Sequence, residues 1–155
     1  MANKLDEIDI RILSVLQKNG RITNLELSGL VGLSPAPTLE RVKKLEKFKF
    51  IKSYHAKLDE KKLGFGIKAI INISLVRQKE NAIQSFEKQI QKIDEIIECH
   101  KVTGNFDYHL KAIVKDITDF DALVSGKLGK IEEIGELQSN IIMAEVKNAA
   151  GIVLK

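Results

Sequence analysis

The stretch V-G-L-S-P-A-P-T-L-E-R-V-K-K-L-E-K-F-K, residues 31–49, contains both prolines of the 155-residue chain. Ser34 can serve as the N-cap of a helix, which places Pro35 at its first position and Pro37 at its third. The first amides of a helix have no acceptor within it, so neither ring removes a hydrogen bond. Because proline cannot continue a preceding helix, the pair keeps this helix apart from the one before it. The stretch therefore predicts a tight turn followed by a helix.

Two further helices are predicted before this turn. Residues 5–20 carry apolar side chains at helical spacing, and Asp6 is available as the N-cap. In T-N-L-E, Thr23 and Glu26 have the spacing of a capping box, which marks the start of a second helix. Gly32 suits the left-handed residue that ends it. Together the three helices predict a helix-turn-helix preceded by a supporting helix.

Positive charge is concentrated in the first part of the chain. Residues 1–63 hold 13 Lys and Arg against 8 Asp and Glu, whereas residues 64–155 hold 12 against 13. One side of the third helix is apolar and is expected to pack on the first two helices. Arg41 and Lys44 then project from the opposite side. The apolar side consists of Leu39, Val42 and Leu45.

The outer side of this helix combines two kinds of group that contact DNA. Hydroxyls and the amides at a helix N-terminus bind phosphates, whereas a long side chain such as Arg41 reaches base edges. An exposed basic helix after a tight turn is how a helix-turn-helix enters the major groove. We therefore predict a double-stranded DNA interface. The alternative is a helical packing module whose charged face is only solvated.

The second part of the chain has a mixed pattern of strands and helices. A strand is predicted over F-I-K-S-Y-H-A-K-L-D, residues 50–59, and a polar, glycine-bearing linker follows. Strand, helix, strand, strand, helix and strand come next, with Gly104-Asn105 as a hairpin turn. This βαββαβ order predicts a ferredoxin-like antiparallel sheet with helices on one face, so the fold class is α+β. The predicted domains are 1–58 (helix-turn-helix with a trailing strand), 59–66 (linker) and 67–155 (ferredoxin-like).

The open face of this sheet is expected to be apolar and therefore to need a partner. A second copy of the chain is the simplest partner, because a twofold contact needs only one patch. Dimerisation would also supply two recognition helices for two half-sites. The strand residues that appear apolar on both sides are Ile70, Ile71, Ile73, Ile141, Ile142 and Met143.

Composition restricts the class of protein. With 44% hydrophobic and 30% charged residues, the chain has the balance of a folded soluble protein. It has no run of about 18 apolar residues and no apolar signal segment at its start, so we expect a cytoplasmic protein. Cys99, the lone cysteine, lies in an apolar setting and is predicted to be a buried, reduced thiol.

Five segments, spread in order over nearly the whole chain, match the motifs of a known family. They are L-D-E-I-D-I-R-I-L, N-G-R-I-T-N-L-E-L-S, V-G-L-S-P-A-P-T-L-E-R-V-K-K-L-E, I-I-E-C-H-K-V-T-G-N-F-D-Y-H-L-K and I-I-M-A-E-V-K. Together they resemble the Lrp/AsnC family of bacterial and archaeal transcription regulators. The resemblance implies an N-terminal helix-turn-helix that binds DNA and a C-terminal βαββαβ domain that pairs into dimers. It also implies that dimers assemble further, commonly into octamers, and that an amino acid binds at dimer contacts near the hairpin turn.

The resemblance also assigns site residues. The family's Ser-Pro-x-Pro start falls on residues 34–37, where Ala36 and then Thr38 stand at positions at which near relatives carry Thr and Cys. The effector-loop motif has Asn105 in place of its first acid and keeps Asp107, a reasonable partner for an ammonium group. The predicted DNA-binding residues are Ser34, Pro35, Ala36, Pro37, Thr38, Arg41 and Lys44. The predicted effector-binding residues are Thr103, Gly104, Asn105, Phe106, Asp107 and Tyr108.

No cofactor or metal is predicted, and the effector is expected to be leucine or another small amino acid. An RNA-recognition module would need aromatic and basic residues on its central strands, and these strands carry Ile, Cys, His and Leu instead. An enzyme is not expected, because His100 and His109 lack a carboxylate and cysteine set at metal-ligand spacing. A nucleoid-type, DNA-organising protein without a ligand response needs the same two domains, so it stays open. We predict a DNA-binding transcriptional regulator, an oligomer of dimers that responds to an amino acid.

Overall fold

The computed structural model describes residues 4–76, 80–148 and 151–154. Contacts divide the chain into two compact units. Unit 1 comprises Met1–Lys57 with Val146–Lys155, and unit 2 comprises Leu58–Glu145. The C-terminal segment thus belongs with the first unit, whereas the sequence assigns it to the second. The cause is a contact across the chain, in which Gln17 and Ile152 form two hydrogen bonds.

Unit 1 contains three helices, α1 (Glu7–Leu16), α2 (Asn24–Val31) and α3 (Pro35–Lys47). The N-caps predicted for α1 and α2, Asp6 and Thr23, are present, and each forms a reciprocal capping box with the residue three positions on. Gly32 ends α2 in the left-handed conformation, with a φ of 75°. These local signals fix the helix boundaries close to the predicted ones. The buried core of the three helices consists of Ile12, Leu27, Val31 and Leu45.

The segment between α3 and the sheet differs from its prediction in two ways. The strand predicted over residues 50–59 is not formed, because a strand needs a neighbour and the described part of unit 1 contains no other strand. The predicted linker is a hydrogen-bonded turn, in which Phe65 N donates to Glu60 O at 2.9 Å. Glu60 also pairs with Lys68 at 3.0 Å. Residues 59–66 are therefore tied to unit 2.

Unit 2 contains four strands, β1 (Ile67–Leu75), β2 (Ile96–Lys101), β3 (Tyr108–Val114) and β4 (Ile134–Ile141). All pairings are antiparallel, and the spatial order is β2-β3-β1-β4. Helix α4 (Glu80–Ile90) connects β1 to β2, and helix α5 (Ile117–Asp121) follows β3. The chain after α5 continues as a π-helix over Ala122–Lys127 and a 3₁₀ turn over Leu128–Lys130. The predicted α+β, ferredoxin-like arrangement is confirmed.

The core of unit 2 lies between the sheet and its helices. Alternate residues of β1 and β3 face this side, as expected for side chains that point to opposite faces along a strand. Phe86 of α4 stacks against Tyr108 of β3, with ring centroids 4.7 Å apart. The most deeply buried members are Ala69, Ile71, Ile73, Phe86, Leu110, Ala112, Leu123 and Leu128.

The opposite face of the sheet is less apolar than predicted. Ile71 and Ile73 face the core, so β1 presents Ile70 between polar neighbours on the open face. At the end of β4, Met143 lies beyond the strand and is 99% exposed. Cys99 is also exposed, in contrast to the prediction, because β2 is an edge strand that is covered by a neighbour on one side only. Burial of its remaining surface and nearby Glu87 raise the pKa of this thiol.

Candidate DNA-binding surface and effector loop

The outer face of α3 presents a row of cations. Lys43, Lys44 and Lys47 are all exposed, and so are Ala36 and Pro37 near the start of the helix. Lys43 forms an exposed ion pair with a neighbouring acid at 3.2 Å. Among the residues that the structure describes, no acid lies within ion-pair distance of Lys44 or Lys47. This face can therefore meet a polyanion without first breaking internal ion pairs of these two lysines.

The rotation of α3 about its axis differs from the prediction by one position. Thr38 is fully buried, whereas Leu39 is 42% exposed. The Thr38 hydroxyl donates to the Ser34 carbonyl at 2.9 Å, so this polar group is satisfied within the helix and the residue can pack inside. Thr38, Val42 and Leu45 form the inner side. Thr38 was predicted to bind DNA, and its burial removes it from the surface that could do so.

Arg41 is also placed differently from its prediction. Its Nη1 atom donates to Asp6 Oδ2 at 2.6 Å and to Asp9 Oδ1 at 2.7 Å. Only 31% of the arginine side chain is exposed. The two carboxylates raise the pKa of Arg41, and the Asp9 amide together with Arg41 lowers the pKa of Asp6. Arg41 thus binds α1 in this structure and does not project outward.

The start of α3 offers fewer donors than a usual helix N-terminus. Ser34 occupies the N-cap, but its side chain makes no capping hydrogen bond. Pro35 and Pro37 have no amide hydrogen, and the Thr38 amide donates to Ser34 O. Ala36 is therefore the one residue in the first turn whose amide can meet a phosphate. Across the turn, Asn24 Nδ2 donates to Pro35 O at 2.8 Å and attaches α2 to α3.

The predicted effector loop is the hairpin that joins β2 to β3. Gly104 has a φ of 120°, which favours glycine, and Thr103, Gly104 and Asn105 are exposed. Val102 N donates to Asp107 O at 2.9 Å and closes the hairpin. The Asp107 amide donates to Ile73 O at 2.8 Å. The loop is therefore a fixed structure attached to β1.

Two of the predicted effector residues have structural contacts of their own. Asp107 Oδ2 accepts a hydrogen bond from Leu75 N at 2.8 Å. Tyr108 is 2% exposed and faces α4, where its hydroxyl donates to Glu87 Oε1 at 2.8 Å. Burial and Glu87 raise the pKa of this phenol. The Tyr108 hydroxyl is therefore directed toward α4.

A cavity of about 280 Å³ lies beside this loop and combines charged and apolar lining. Lys101, at the end of β2, and Asp107 supply opposite charges, and Ile83 of α4 and Leu75 of β1 supply apolar surface. Tyr108, a predicted effector residue, also lines the cavity. Lys101 was not among the effector residues predicted from the sequence. The signal that could have found it is the hairpin itself, since Lys101 is paired with Tyr108 across the turn. A cavity with one cation, one anion and an apolar wall complements a zwitterion with an apolar side chain.

Comparisons with known proteins agree with both halves of this description. A winged helix-turn-helix DNA-binding model matches residues 5–52, and the Lrp/AsnC ligand binding domain matches residues 68–152. The chain belongs to the Lrp/AsnC family. The leucine-responsive regulatory protein of Haemophilus influenzae is 44% identical to this family member over 97% of its chain and 91% of the relative. The protein of the same name from Escherichia coli K12 is 41% identical over 97% and 92%.

Solved structures of Lrp/AsnC relatives have the same fold. A transcriptional regulator from Neisseria meningitidis in complex with L-methionine has a TM-score of 0.93 and 36% identity, and covers 97% of both chains. An AsnC family regulator from Agrobacterium tumefaciens has a TM-score of 0.89 and 27% identity, and covers 96% of this chain and 97% of that one. This Lrp/AsnC member is thus a DNA-binding transcription regulator with a C-terminal domain of amino-acid-binding type. The predicted family and class of function are confirmed.

Membrane-spanning and metal-binding features are both lacking in the part of the chain that the structure describes. No helix within it is long and apolar enough to cross a membrane. It also contains no group of three or more His, Cys, Asp or Glu side chains arranged to hold a metal ion. His100 and His109 face each other across β2 and β3, and Glu98 lies 3.2 Å from His100. The pair is part of the open face of the sheet.

Proposed function

We propose that this regulator binds specific double-stranded DNA through the outer face of α3 and changes its assembly when an amino acid binds beside the β2–β3 hairpin. The observation that carries the DNA assignment is the exposed cation row of Lys43, Lys44 and Lys47, on the helix that starts at the proline-fixed turn. The proposed contacts are Ser34, Pro35, Ala36, Pro37, Lys43, Lys44 and Lys47. Thr38 and Arg41 leave the predicted set, since one is buried and the other binds α1.

Salt dependence of DNA binding tests this surface. Each phosphate contact contributes about 0.9 to the slope of log K against log salt concentration. We expect Lys44→Met to reduce the slope by about that amount and Lys44→Met with Lys47→Met to reduce it by about twice as much. Lys88→Met, on the exposed part of α4, is the matched control and should leave the slope unchanged. Equal slopes for all variants would exclude α3 as the DNA-facing helix.

For the effector we propose an α-amino acid with an apolar side chain, bound in the cavity beside the hairpin. The cavity's charges are suited to the two ends of a zwitterion, with Lys101 toward the carboxylate and Asp107 toward the ammonium group. Ile83 and Leu75 would contact the side chain. The names of the relatives support leucine, and the Neisseria complex supports methionine. Both have unbranched or γ-branched apolar side chains that this wall can accommodate.

Thermal shift measurements against the twenty amino acids test the effector site, because a ligand that binds only the folded state raises its melting temperature. We expect leucine or methionine to stabilise the protein, and Lys101→Met and Asp107→Asn to abolish the shift. Lys88→Met serves again as the control, since it removes a cation from the same unit outside the cavity. If both cavity variants keep the full shift, the ligand binds elsewhere.

We further propose that a second copy covers the open face of the sheet and that dimers assemble into octamers. Asn72 lies on this face in the inner strand β1, and its buried Oδ1 atom accepts no hydrogen bond from any residue that the structure describes. Its cross-strand neighbours His109 and Gln138 are also polar, and Ile70 and Ile113 lie close by. A covering copy would remove the two isoleucines from water.

Light scattering with and without effector tests the assembly. We expect Ile113→Glu to yield monomers with normal secondary structure, and the effector to change the mass of the unaltered protein. If no amino acid changes mass or DNA affinity, the chain is instead a ligand-independent, DNA-organising protein. That alternative needs the same DNA surface and open face but not the cavity. The function we propose is that of a regulator with no enzymatic activity that acts on chromosomal DNA in the cytoplasm.

A further inference from the structure

The contacts between α1 and α3 form a closed network around Arg41. Asp6 Oδ1 accepts from the Asp9 amide at 2.8 Å, and Asp9 Oδ2 accepts from the Asp6 amide at 3.4 Å. The remaining oxygen of each carboxylate accepts from Arg41 Nη1, at 2.6 Å from Asp6 and 2.7 Å from Asp9. All four carboxylate oxygens are thus used. The N-cap of α1 and the middle of α3 are joined through one guanidinium group.

Burial makes this network costly to open. Asp9 is only 6% exposed, and Arg41 is its one cationic partner among the described residues. Removing one member of a buried ion pair leaves an uncompensated charge away from water. If Arg41 turned to a DNA base, Asp9 would lose its one cationic partner inside unit 1 and keep only the hydrogen bond from the Asp6 amide. Lys44 and Lys47 have no ion-pair partner among the described residues, so they can bind DNA without leaving a buried charge unpaired.

We infer that Arg41 is a positioning residue, which fixes the recognition helix on α1 through Asp6 and Asp9 and does not contact a base or a phosphate. This inference rests on the proposed DNA-facing role of α3. Arg41 would therefore contribute to the DNA sequence specificity of the protein without contacting DNA. A recognition helix held in one position aligns its side chains with a particular sequence, whereas phosphate attraction tolerates small displacements.

The test compares two fluorescent duplexes, one selected from a random-sequence pool by the unaltered protein and one of scrambled sequence. For each variant, the affinity ratio of the two duplexes reports specificity, and the slope of log K against log KCl concentration reports phosphate contacts. We expect Arg41→Met to lower the ratio about tenfold, by the same order as one mismatched base pair, and to leave the slope unchanged. Asp9 is buried on α1 and cannot contact DNA itself. Asp9→Leu should nevertheless lower the ratio by a similar factor, because it removes the group that holds Arg41.

The double variant Asp9→Leu with Arg41→Met completes a double-mutant cycle with the two single variants. Apolar side chains often replace a buried ion pair without loss of stability, so this variant should fold even where a single variant does not. We expect its ratio to lie closer to that of the unaltered protein than the product of the two single effects, because no buried charge is left unpaired. Asp6 also loses Arg41, but its side chain is 51% exposed and stays in contact with water. Circular dichroism and melting temperature verify folding for every variant.

Other results would overturn the inference. A slope reduced by about 0.9 in the double variant would show that Arg41 contacts a phosphate. An unchanged ratio in Asp9→Leu, or a preference lost at one base position only when Arg41 is replaced, would show that it reads DNA directly. Lys44→Met separates this failure from that of the proposed interface. If Lys44→Met changes neither slope nor affinity, α3 does not face DNA at all.

Discussion

The Asp107 carboxylate accepts a hydrogen bond from the Leu75 amide at 2.8 Å, which attaches the β2–β3 hairpin to the last residue of β1. The same carboxylate lines the cavity beside Lys101. One side chain therefore supports the loop and contributes the negative charge that we assign to the effector site. The two roles can be separated by substitution, because an amide oxygen can replace the acceptor but not the charge.

Asp107→Asn and Asp107→Ala are expected to differ. Asparagine keeps an acceptor for Leu75 N, so urea unfolding should show little loss of stability while the amino-acid response disappears. Alanine leaves the Leu75 amide without this partner, and we expect a loss of about 1–3 kcal/mol. DNA affinity without effector should stay near normal in the asparagine variant. If asparagine abolished DNA binding, Asp107 would not be a residue of the effector site alone.

The two tyrosines of the chain should both resist ionisation while it is folded. Burial and the Glu46 carboxylate raise the pKa of Tyr54 to about 12, and burial with Glu87 raises that of Tyr108. Because the neutral phenols are favoured by the fold, their contribution to stability is complete below the ordinary pKa of about 10 and is lost as pH rises through the raised values. Tyrosinate absorbance should therefore show no step near pH 10 before unfolding.

Tyr108→Phe isolates the second phenol. It removes the hydrogen bond to Glu87, and we expect a loss of about 1 kcal/mol in the free energy of unfolding at neutral pH. The response to the amino acid should persist, because the hydroxyl donates to Glu87 of α4 and the variant keeps the aromatic ring that lines the cavity. Tyr54, the remaining tyrosine, should still ionise only above the ordinary pKa of about 10. A step near the ordinary pKa in this variant would contradict the contact between Tyr54 and Glu46.

Lys49 should be replaceable by glycine with a gain in stability. It follows α3 with a φ of 61°, and it is the one residue other than glycine with a positive φ in the described chain. The left-handed conformation costs an L-residue about 1–2 kcal/mol, and glycine loses about 0.5–1 kcal/mol more entropy on folding. Lys49→Gly should therefore raise the free energy of unfolding by roughly 0.5–1 kcal/mol. Lys49→Ala, which removes the same charge but keeps the strain, should give no such gain.

Features set by neighbouring residues were predictable from the sequence. The N-cap Asp6, the capping box of Thr23 and Glu26, the left-handed Gly32 and the hairpin at Gly104 depend on groups a few positions apart, and the structure has all of them. The order of strands and helices along unit 2 was predicted from the alternation between strand-like and helix-like apolar spacing. The class of fold and the family motifs could therefore be predicted from the order of the residues alone.

Features set by distant contacts were not predictable in this way. Periodicity gave α3 an apolar side, but whether Thr38 or Leu39 lies inside depends on how its hydroxyl is satisfied and on what α1 and α2 present. The pairing of Arg41 joins residues 32 and 35 positions apart. Exposure of Cys99 follows from the edge position of β2, which only the spatial order of strands reveals.

The attachment of the C-terminal segment to α1 gives a final prediction. Gln17 Nε2 donates to Ile152 O at 2.9 Å, and Ile152 N donates to Gln17 Oε1 at 3.1 Å. Gly151, at a φ of 90°, lies against the same amide, and a Cβ there would stand 2.5 Å from Gln17 Cδ. Gly151→Val should displace the segment, and the Ile152 amide should lose its protection from hydrogen exchange.

Gln17→Ala is the matched variant, because it removes both hydrogen bonds and leaves Gly151 in place. The two variants should expose the Ile152 amide to a similar degree, while amides of the α2 and α3 core, such as that of Leu45, keep their protection. A cavity of about 400 Å³ adjoins the segment and is lined by Leu13, Leu16 and other apolar groups, so displacement should also open apolar surface to a fluorescent dye. Unchanged exchange at Ile152 in both variants would mean that the segment is not held by Gln17 in solution.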